Sequence, residues 1–343
     1  MVRGMTTPFK MPIFYDFDVE ADMELVMEMV TEVEAAGGRV RAVVCDMGNS
    51  KFLGKEGVHL YQKGNHSFPN PARPDDKVWV IPDAVHMIKV NLLLLIIKFV
   101  FNTFFQLLHN AIWGEGGMVY NDGEGDVKIC KRDFRELLTH DADSGEFQRL
   151  FKFGQSHLDV TSHEKQRVYL AVQTLSESVA HAFTLLGKHK HAKFVMIVDR
   201  WFHVCDSRTK DHEKPFKAAL QVTHEEEQLL CLQKMIDMMQ CIRFASGHET
   251  KHFQKGVIAA TKSIMALYHE LKAEGQAFQC TYLLNQVLTT NIKIRKSYLM
   301  IFLLRMLWNS SSLIYGDWAA IAVIPGLLSS VLATGPSSSH HIQ

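Results

Sequence analysis

The stretch Val40–Asp46 (VRAVVCD), followed by Met47–Ser50 (MGNS), decides the fold. It is a short β-branched run that ends on an acid at a Gly/Asn break. Its almost continuous apolar character is typical of a strand that is covered on both faces. Since α/β folds place ligand and metal chemistry at the carboxyl ends of such strands, Asp46 is a candidate functional residue.

The flanking sequence predicts an α/β unit around this strand. Met11–Phe17 and Val78–Ile81 read as strands, and apolar residues at helical spacing predict a helix over Glu20–Ala36. The proline-rich stretch Asn65–Asp76 reads as a loop. The first ninety or so residues therefore predict strand, helix, strand, loop and strand.

Beyond about Leu107 the strand signal almost vanishes, and the sequence predicts a mostly helical part. Helices are expected over Val168–Leu186, His224–Phe244 and Phe253–Ala273, the last ended by Gly275. The 343 residues are 47% hydrophobic, which suffices for two domains. The balance of 37 basic and 37 acidic residues gives no general electrostatic attraction to nucleic acid. Six cysteines without a C-x-x-C pair indicate reduced thiols rather than a zinc site.

Several short motifs, taken in order, resemble the P-element-type transposases and their relatives with a THAP zinc finger. Each motif is weak alone, and their common order carries the resemblance. They are Met1–Met5 (MVRGM), Cys45–Asn49 (CDMGN), Phe68–Pro71 (FPNP), Asp83–Lys89 (DAVHMIK), Lys165–Gln173 (KQRVYLAVQ), Phe253–Gly256 (FQKG), Leu271–Gly275 (LKAEG) and Leu284–Gln286 (LNQ).

This resemblance implies an α/β RNase H-like core, here partial, that is interrupted by a mostly α-helical, GTP-binding insertion domain. Such cores hold two Mg²⁺ ions with three carboxylates and act on transposon-end DNA. Asp46 matches the second of these acids. The first is expected on a strand before the Met1–Met5 motif, and the third is replaced after Gln286, where the chain reads Val287–Asn291 (VLTTN). We therefore expect a catalytically inactive protein.

The resemblance also assigns nucleotide contacts to the helical part. Lys165, Arg167 and Val168 match one segment, and Phe202, His203 and Asp206 match a family pattern F-D-x-x-N-S-R that reads guanine. His203 stands in place of the acid and Asp206 in place of the amide. A further family acid is replaced by Val287, so GTP binding is expected to be weak or absent.

Val90–Leu108 (VNLLLLIIKFVFNTFFQLL) is long and apolar enough to suggest a transmembrane segment. Lys98 and two asparagines make that span costly. Without Val90–Gln106 the flanks read HMIK-LLHN, close to the family's H-L-L-K-L-x-R-N. Valine codons begin with GT, and Phe104–Gln106 is how a pyrimidine tract plus CAG translates. These features indicate a translated intron or misassembled sequence.

The sequence thus predicts a domain division with two interruptions. The leading interpretation is a transposase-derived protein that is nuclear or cytoplasmic, with homo-oligomerisation a further expectation. The alternatives are a single-pass membrane protein and a non-catalytic nucleotide- or DNA-binding remnant. The predicted segments are 1–89 and 246–286 (the two parts of the RNase H-like domain), 90–106 (apolar insertion), 107–245 (GTP-binding-type insertion domain) and 287–343 (unrelated, disordered tail).

Overall fold

The computed structural model places an N-terminal sheet beside a larger helical part. Strands on both sides of the helical part in sequence build the main sheet, so the helical part is an insertion between them. The structure describes residues 1–5, 9–14, 22–45, 66–83, 108, 112–114, 116–121, 123–143, 150, 152–159, 168–244, 250–284 and 319–323.

The main sheet has six strands in the order β2-β1-β11-β3-β5-β4. β3 runs parallel to β5 and to β11, whereas β1 runs antiparallel to β11 and β4 antiparallel to β5. In register, Cys45 at the end of β3 lies beside Pro82 at the end of β5. The strands are β1 (Val2–Gly4), β2 (Lys10–Met11), β3 (Arg39–Cys45), β4 (Ser67–Asn70), β5 (Arg73–Pro82) and β11 (Ala319–Val323).

Helix α1 (Met23–Ala35) forms where the apolar spacing predicts it. The Asp22 carboxylate caps its start by accepting from the Leu25 amide at 2.9 Å, and Gly37 ends it with a φ of 90°. Both faces of β3 are buried, as its apolar run predicts. Val43 and Cys45 pack with Val26 of α1 on one side, while Ala42 and Val44 join the core of the helical part on the other.

The helical part contains seven helices within the described residues. Its longest helix, α8, packs on β5, and the Ser263 hydroxyl of α8 donates to the Val80 carbonyl at 2.8 Å. The helices are α2 (Lys131–Asp143), α3 (Gln155–Leu158), α4 (Val168–Thr174), α5 (Glu177–Leu185), α6 (His189–Cys205), α7 (Glu225–Cys241) and α8 (His252–Ala273). Short 3₁₀ turns lie at Pro215–Lys217, Val222–His224 and Thr281–Leu284.

The helical part also contains strands, contrary to the near absence of strand signal after Leu107. They form a three-stranded and a two-stranded sheet. Gly123 and Gly125 have positive φ between two of the strands, which closes a hairpin. The sequence has no long alternation of apolar and polar residues that would predict this hairpin. These strands are β6 (Met118–Asn121), β7 (Asp126–Ile129), β8 (Leu220–Gln221), β9 (Arg243–Phe244) and β10 (Phe278–Gln279).

The hairpin β4–β5 corrects the prediction of a loop over Asn65–Asp76. The Asn70 side-chain oxygen accepts from the amides of Ala72 and Arg73, which makes a tight turn, and Pro69 lies on the edge strand β4. Proline content alone therefore misidentified a hairpin as a loop.

Other element boundaries also differ from the sequence expectations. The predicted strand Met11–Phe17 is a strand only over Lys10–Met11 in the described residues. The single helix predicted over Val168–Leu186 is two helices, because Ser176 adopts an extended backbone (φ −104°, ψ 160°) between them. Five residues of the segment predicted as a disordered tail form β11.

No helix in the described part of the chain is long and apolar enough to cross a bilayer. Val90–Leu107, nearly all of the candidate span, lies outside the described residues, while Leu108 is fully buried in the core of the helical part. The membrane alternative thus gains no support from the described residues.

Candidate functional site

The C-terminal end of α6 carries the three predicted base contacts. Phe202 and His203 lie in its last turn, half-buried, with ring centroids 5.7 Å apart. Asp206 is the next residue after the helix, and its carboxylate accepts from the Arg208 guanidinium at 3.0 Å. The three side chains are therefore grouped at one helix end, as the motif predicts.

A buried hydrogen-bond network ties this helix end to a distant segment. The Ser207 amide donates to the Thr281 hydroxyl at 3.1 Å, and the Thr281 amide donates to the Ser207 hydroxyl at 3.1 Å. The Tyr282 amide donates to the Ser207 carbonyl at 3.1 Å, and the Thr281 hydroxyl also donates to the Val204 carbonyl. The end of α6 thus contacts a segment that lies more than 70 residues away in the sequence and directly precedes Asn285.

Asp199 is a buried acid of the same helix that lies outside the motif. It lies one turn before His203, with 3.7 Å between its carboxylate and Nε2 of the imidazole. Its other oxygen accepts from the Glu177 amide at 3.2 Å, so it caps the start of α5 from a neighbouring helix. The i, i+4 spacing to His203 is the sequence signal that could have revealed it.

Burial shifts both titrations of this pair. It raises the pKa of Asp199 to about 6, an effect opposed by the hydrogen bond from the Glu177 amide. Burial, helped by the positive charge of Lys217, lowers the pKa of His203 to about 4. At neutral pH the helix end therefore presents an ionised Asp199 and a neutral imidazole.

We expect the two residues to have opposite effects on stability below pH 6.5. The stabilisation from Asp199 is complete below its unfolded pKa near 4 and is lost as the pH rises through about 6. The stabilisation from His203 is present above 6.5 and is lost as the pH falls through about 4. Relative to wild type, Asp199→Asn should lose about 2 kcal/mol on going from pH 7 to 4.5, and His203→Gln should gain about as much.

Urea unfolding at several pH values measures both differences. Curves for the two variants that run parallel to the wild-type curve would contradict the assignment of these shifts to this pair. Lys193→Gln, an exposed change on the same helix, should leave the pH dependence unchanged.

The remaining predicted site residues lie mostly outside the described residues. Among the predicted nucleotide contacts, Lys165 and Arg167 are outside, and Val168 begins α4. Asp46 follows the last described residue of β3. At the end of the strand next to β3, Asp83 follows β5, is almost fully buried, and donates its amide to the Cys45 carbonyl at 2.9 Å. Within the described residues no cluster of three or more metal-binding side chains occurs.

Comparisons with known proteins identify the helical part. Residues 104–219 match the TNP-like GTP-binding insertion domain family. The transposable element P transposase of Drosophila melanogaster is 24% identical over 307 residues, which cover 85% of this chain. This chain is similar to the P-element-type transposases. It spans 36% of that curated protein's length.

The fold of this chain is similar to that of a solved transposase structure. A solved structure described as the Drosophila P element transposase strand transfer complex matches it with a TM-score of 0.70 and 21% identity, covering 91% of this chain and 70% of that one. The matched insertion domain begins at residue 104, so Leu108 belongs to it. The prediction of P-element kinship from short motifs is therefore confirmed.

Proposed function

We propose that this transposase relative has a partial RNase H-like core interrupted by a nucleotide-binding-type insertion domain, and that it does not catalyse DNA transfer. The observation that carries the proposal is the position of the matched insertion domain. Residues 104–219 fall between β5 and β11, two strands of one sheet that both flank β3. By family resemblance, we propose DNA and a second copy of the chain as its partners. The proposed location is the nucleus or the cytoplasm.

The lack of catalysis follows from the acids that two-metal chemistry requires. Mg²⁺ is a hard ion that takes oxygen ligands, and two ions need several carboxylates at one edge of the sheet. Asp46, beyond the end of β3, would supply one. The strand β11, which pairs with β3 on the side away from β5, reads Ala-Ala-Ile-Ala-Val and offers no carboxylate. Val287–Asn291 offers none at the family's third position.

Purified protein should give no strand-transfer product with Mg²⁺ or Mn²⁺, because the third carboxylate of the metal-binding set is replaced at Val287–Asn291. The measurement is a gel assay of labelled transposon-end DNA with wild type and Asp46→Ala side by side. Equal, background-level signals are expected. A product that forms with the wild type and is absent with Asp46→Ala would contradict the proposal of an inactive core.

For the insertion domain we propose a degenerate purine-nucleotide site at the end of α6. A carboxylate accepts from two adjacent N–H groups of guanine, whereas a neutral imidazole accepts one hydrogen bond at most. His203 and Val287 therefore remove acceptors, and each buried donor left unpaired costs roughly 1–3 kcal/mol. Asp206, which stands in place of the family's amide, supplies a carboxylate directly after the helix end, where it accepts from Arg208.

Isothermal titration with GTP and ATP tests this site. Wild type should bind GTP weakly and with less than about tenfold preference over ATP, since each lost hydrogen bond to guanine lowers that preference by about tenfold. The double change His203→Asp with Val287→Asp should restore guanine preference, and Asp206→Ala should abolish what remains. Micromolar, guanine-selective binding that survives Asp206→Ala would mean that the pocket lies elsewhere.

A further inference from the structure

Arg3 of β1 makes an unusual long-range contact between the main sheet and the helical part. Its side chain is about 5% exposed, and Nη1 donates to the Tyr282 carbonyl at 3.3 Å. The guanidinium carbon also lies 4.9 Å from the centroid of the Tyr282 ring. The two residues are 279 positions apart, so this contact forms only when the sheet and the 3₁₀ turn Thr281–Leu284 are both in place.

Tyr282 is at the same time part of the network that holds the end of α6. Its amide donates to the Ser207 carbonyl, and its neighbour Thr281 exchanges hydrogen bonds with Ser207. Tyr282 therefore contacts both Arg3 and Ser207, and Asp206 is adjacent to Ser207 in the chain. The path runs from strand β1 through the 3₁₀ turn Thr281–Leu284 to the last turn of α6.

Arg3 is also attracted electrostatically to Asp83, at the end of β5. Burial lowers the pKa of Arg3, while Tyr282 and the negative charge of Asp83 oppose that shift. Asp83 directly follows β5, beside the end of β3. A guanidinium stays charged even when it is buried, so Arg3 keeps its attraction to both neighbours.

We propose that Arg3 is a positioning residue that fixes the C-terminal end of α6 against the sheet. The same side chain would then hold both the candidate nucleotide site and the sheet edge that carries Asp83 in place. The functional meaning of this role rests on the nucleotide site proposed above. Its structural test does not require any ligand.

Hydrogen exchange on the full-length chain tests the role directly. In Arg3→Met the amides of Ser207 and Tyr282 should exchange at least tenfold faster than in wild type, because both hydrogen-bond across the junction. Amides within α5 and the first turns of α6 should keep their rates. Arg3→Lys retains the charge and a donor but not the planar stacking, so it should give an intermediate acceleration.

Arg200→Met is the matched control. Its guanidinium also lies over an aromatic ring, 4.7 Å from the centroid of Phe216, but both residues belong to the helical part. It should leave the Tyr282 rate unchanged. Uniform acceleration along the chain in Arg3→Met, or none at Ser207 and Tyr282, would overturn the proposal; if Arg3→Met does not fold, Arg3→Lys decides by the same criterion. A wild type that binds no nucleotide would remove the proposed site while leaving this result standing.

Discussion

Replacing Trp201 with alanine is expected to lower the free energy of unfolding by about 3–5 kcal/mol, the usual cost of emptying a large buried aromatic site. Trp201 lies on α6, and none of its surface is exposed. Its indole N–H donates to the Thr261 hydroxyl of α8 at 2.9 Å, and that hydroxyl donates to the Val257 carbonyl. The ring thus joins the helix that carries the candidate site to the helix that packs on the main sheet.

Urea denaturation of purified variants separates packing from hydrogen bonding at this position. Trp201→Phe should cost less than Trp201→Ala, since it keeps most of the buried surface and loses the N–H. Leu230→Ala is the surface control, because Leu230 is 51% exposed, and it should change stability by less than about 0.5 kcal/mol. A loss in Trp201→Ala no larger than in Leu230→Ala would show that α6 and α8 are not packed through this ring.

Local patterns predicted some elements of the fold well. The bounds of β3, of α1 and of the end of α8 are predicted to within a few residues. The reason is that a buried face imposes a regular spacing of apolar residues on the local sequence. Gly275 has a φ of 91°, which suits its position just after the helix.

Elements that depend on distant partners were not predictable in this way. β11 is a run of small apolar residues within a segment predicted to be disordered, and it becomes a strand through pairing with β1 and β3. The prolines of the hairpin β4–β5 favour the prediction of a loop, although a strand at the edge of a sheet tolerates proline. The paired strands β6 and β7 are too short to give a periodic signal.

The candidate site shows the same division. Phe202, His203 and Asp206 are predicted from their motif, which is local to one helix end. Thr281 contacts Ser207 at that helix end from 74 positions away in the sequence. Arg3 in turn contacts Tyr282 from 279 positions away. No spacing rule links such residues, so only the folded chain shows that they belong together.

Arg41 of β3 should be the most costly charged residue to lose, since it is 3% exposed and lies between carboxylates of two different elements. Its guanidinium contacts Glu274, just beyond α8, at 2.5 Å, Glu270 at 3.7 Å and Asp76 of β5 at 3.8 Å. Arg41→Met should destabilise the fold by about 2–3 kcal/mol, below the 3–5 kcal/mol typical of a fully buried pair, because the carboxylates partly reach water.

A double-mutant cycle with Glu274→Gln tests whether this loss comes from the contact between sheet and helix. The double variant should cost less than the sum of the two single changes, since an uncompensated carboxylate is then absent. Arg39→Met is the matched control: Arg39 contacts the same Glu274 at 3.0 Å, but its side chain is 29% exposed, so its loss should be under about 1 kcal/mol. Equal losses for Arg39→Met and Arg41→Met, or full additivity with Glu274→Gln, would mean that burial of Arg41 does not hold α8 to the sheet.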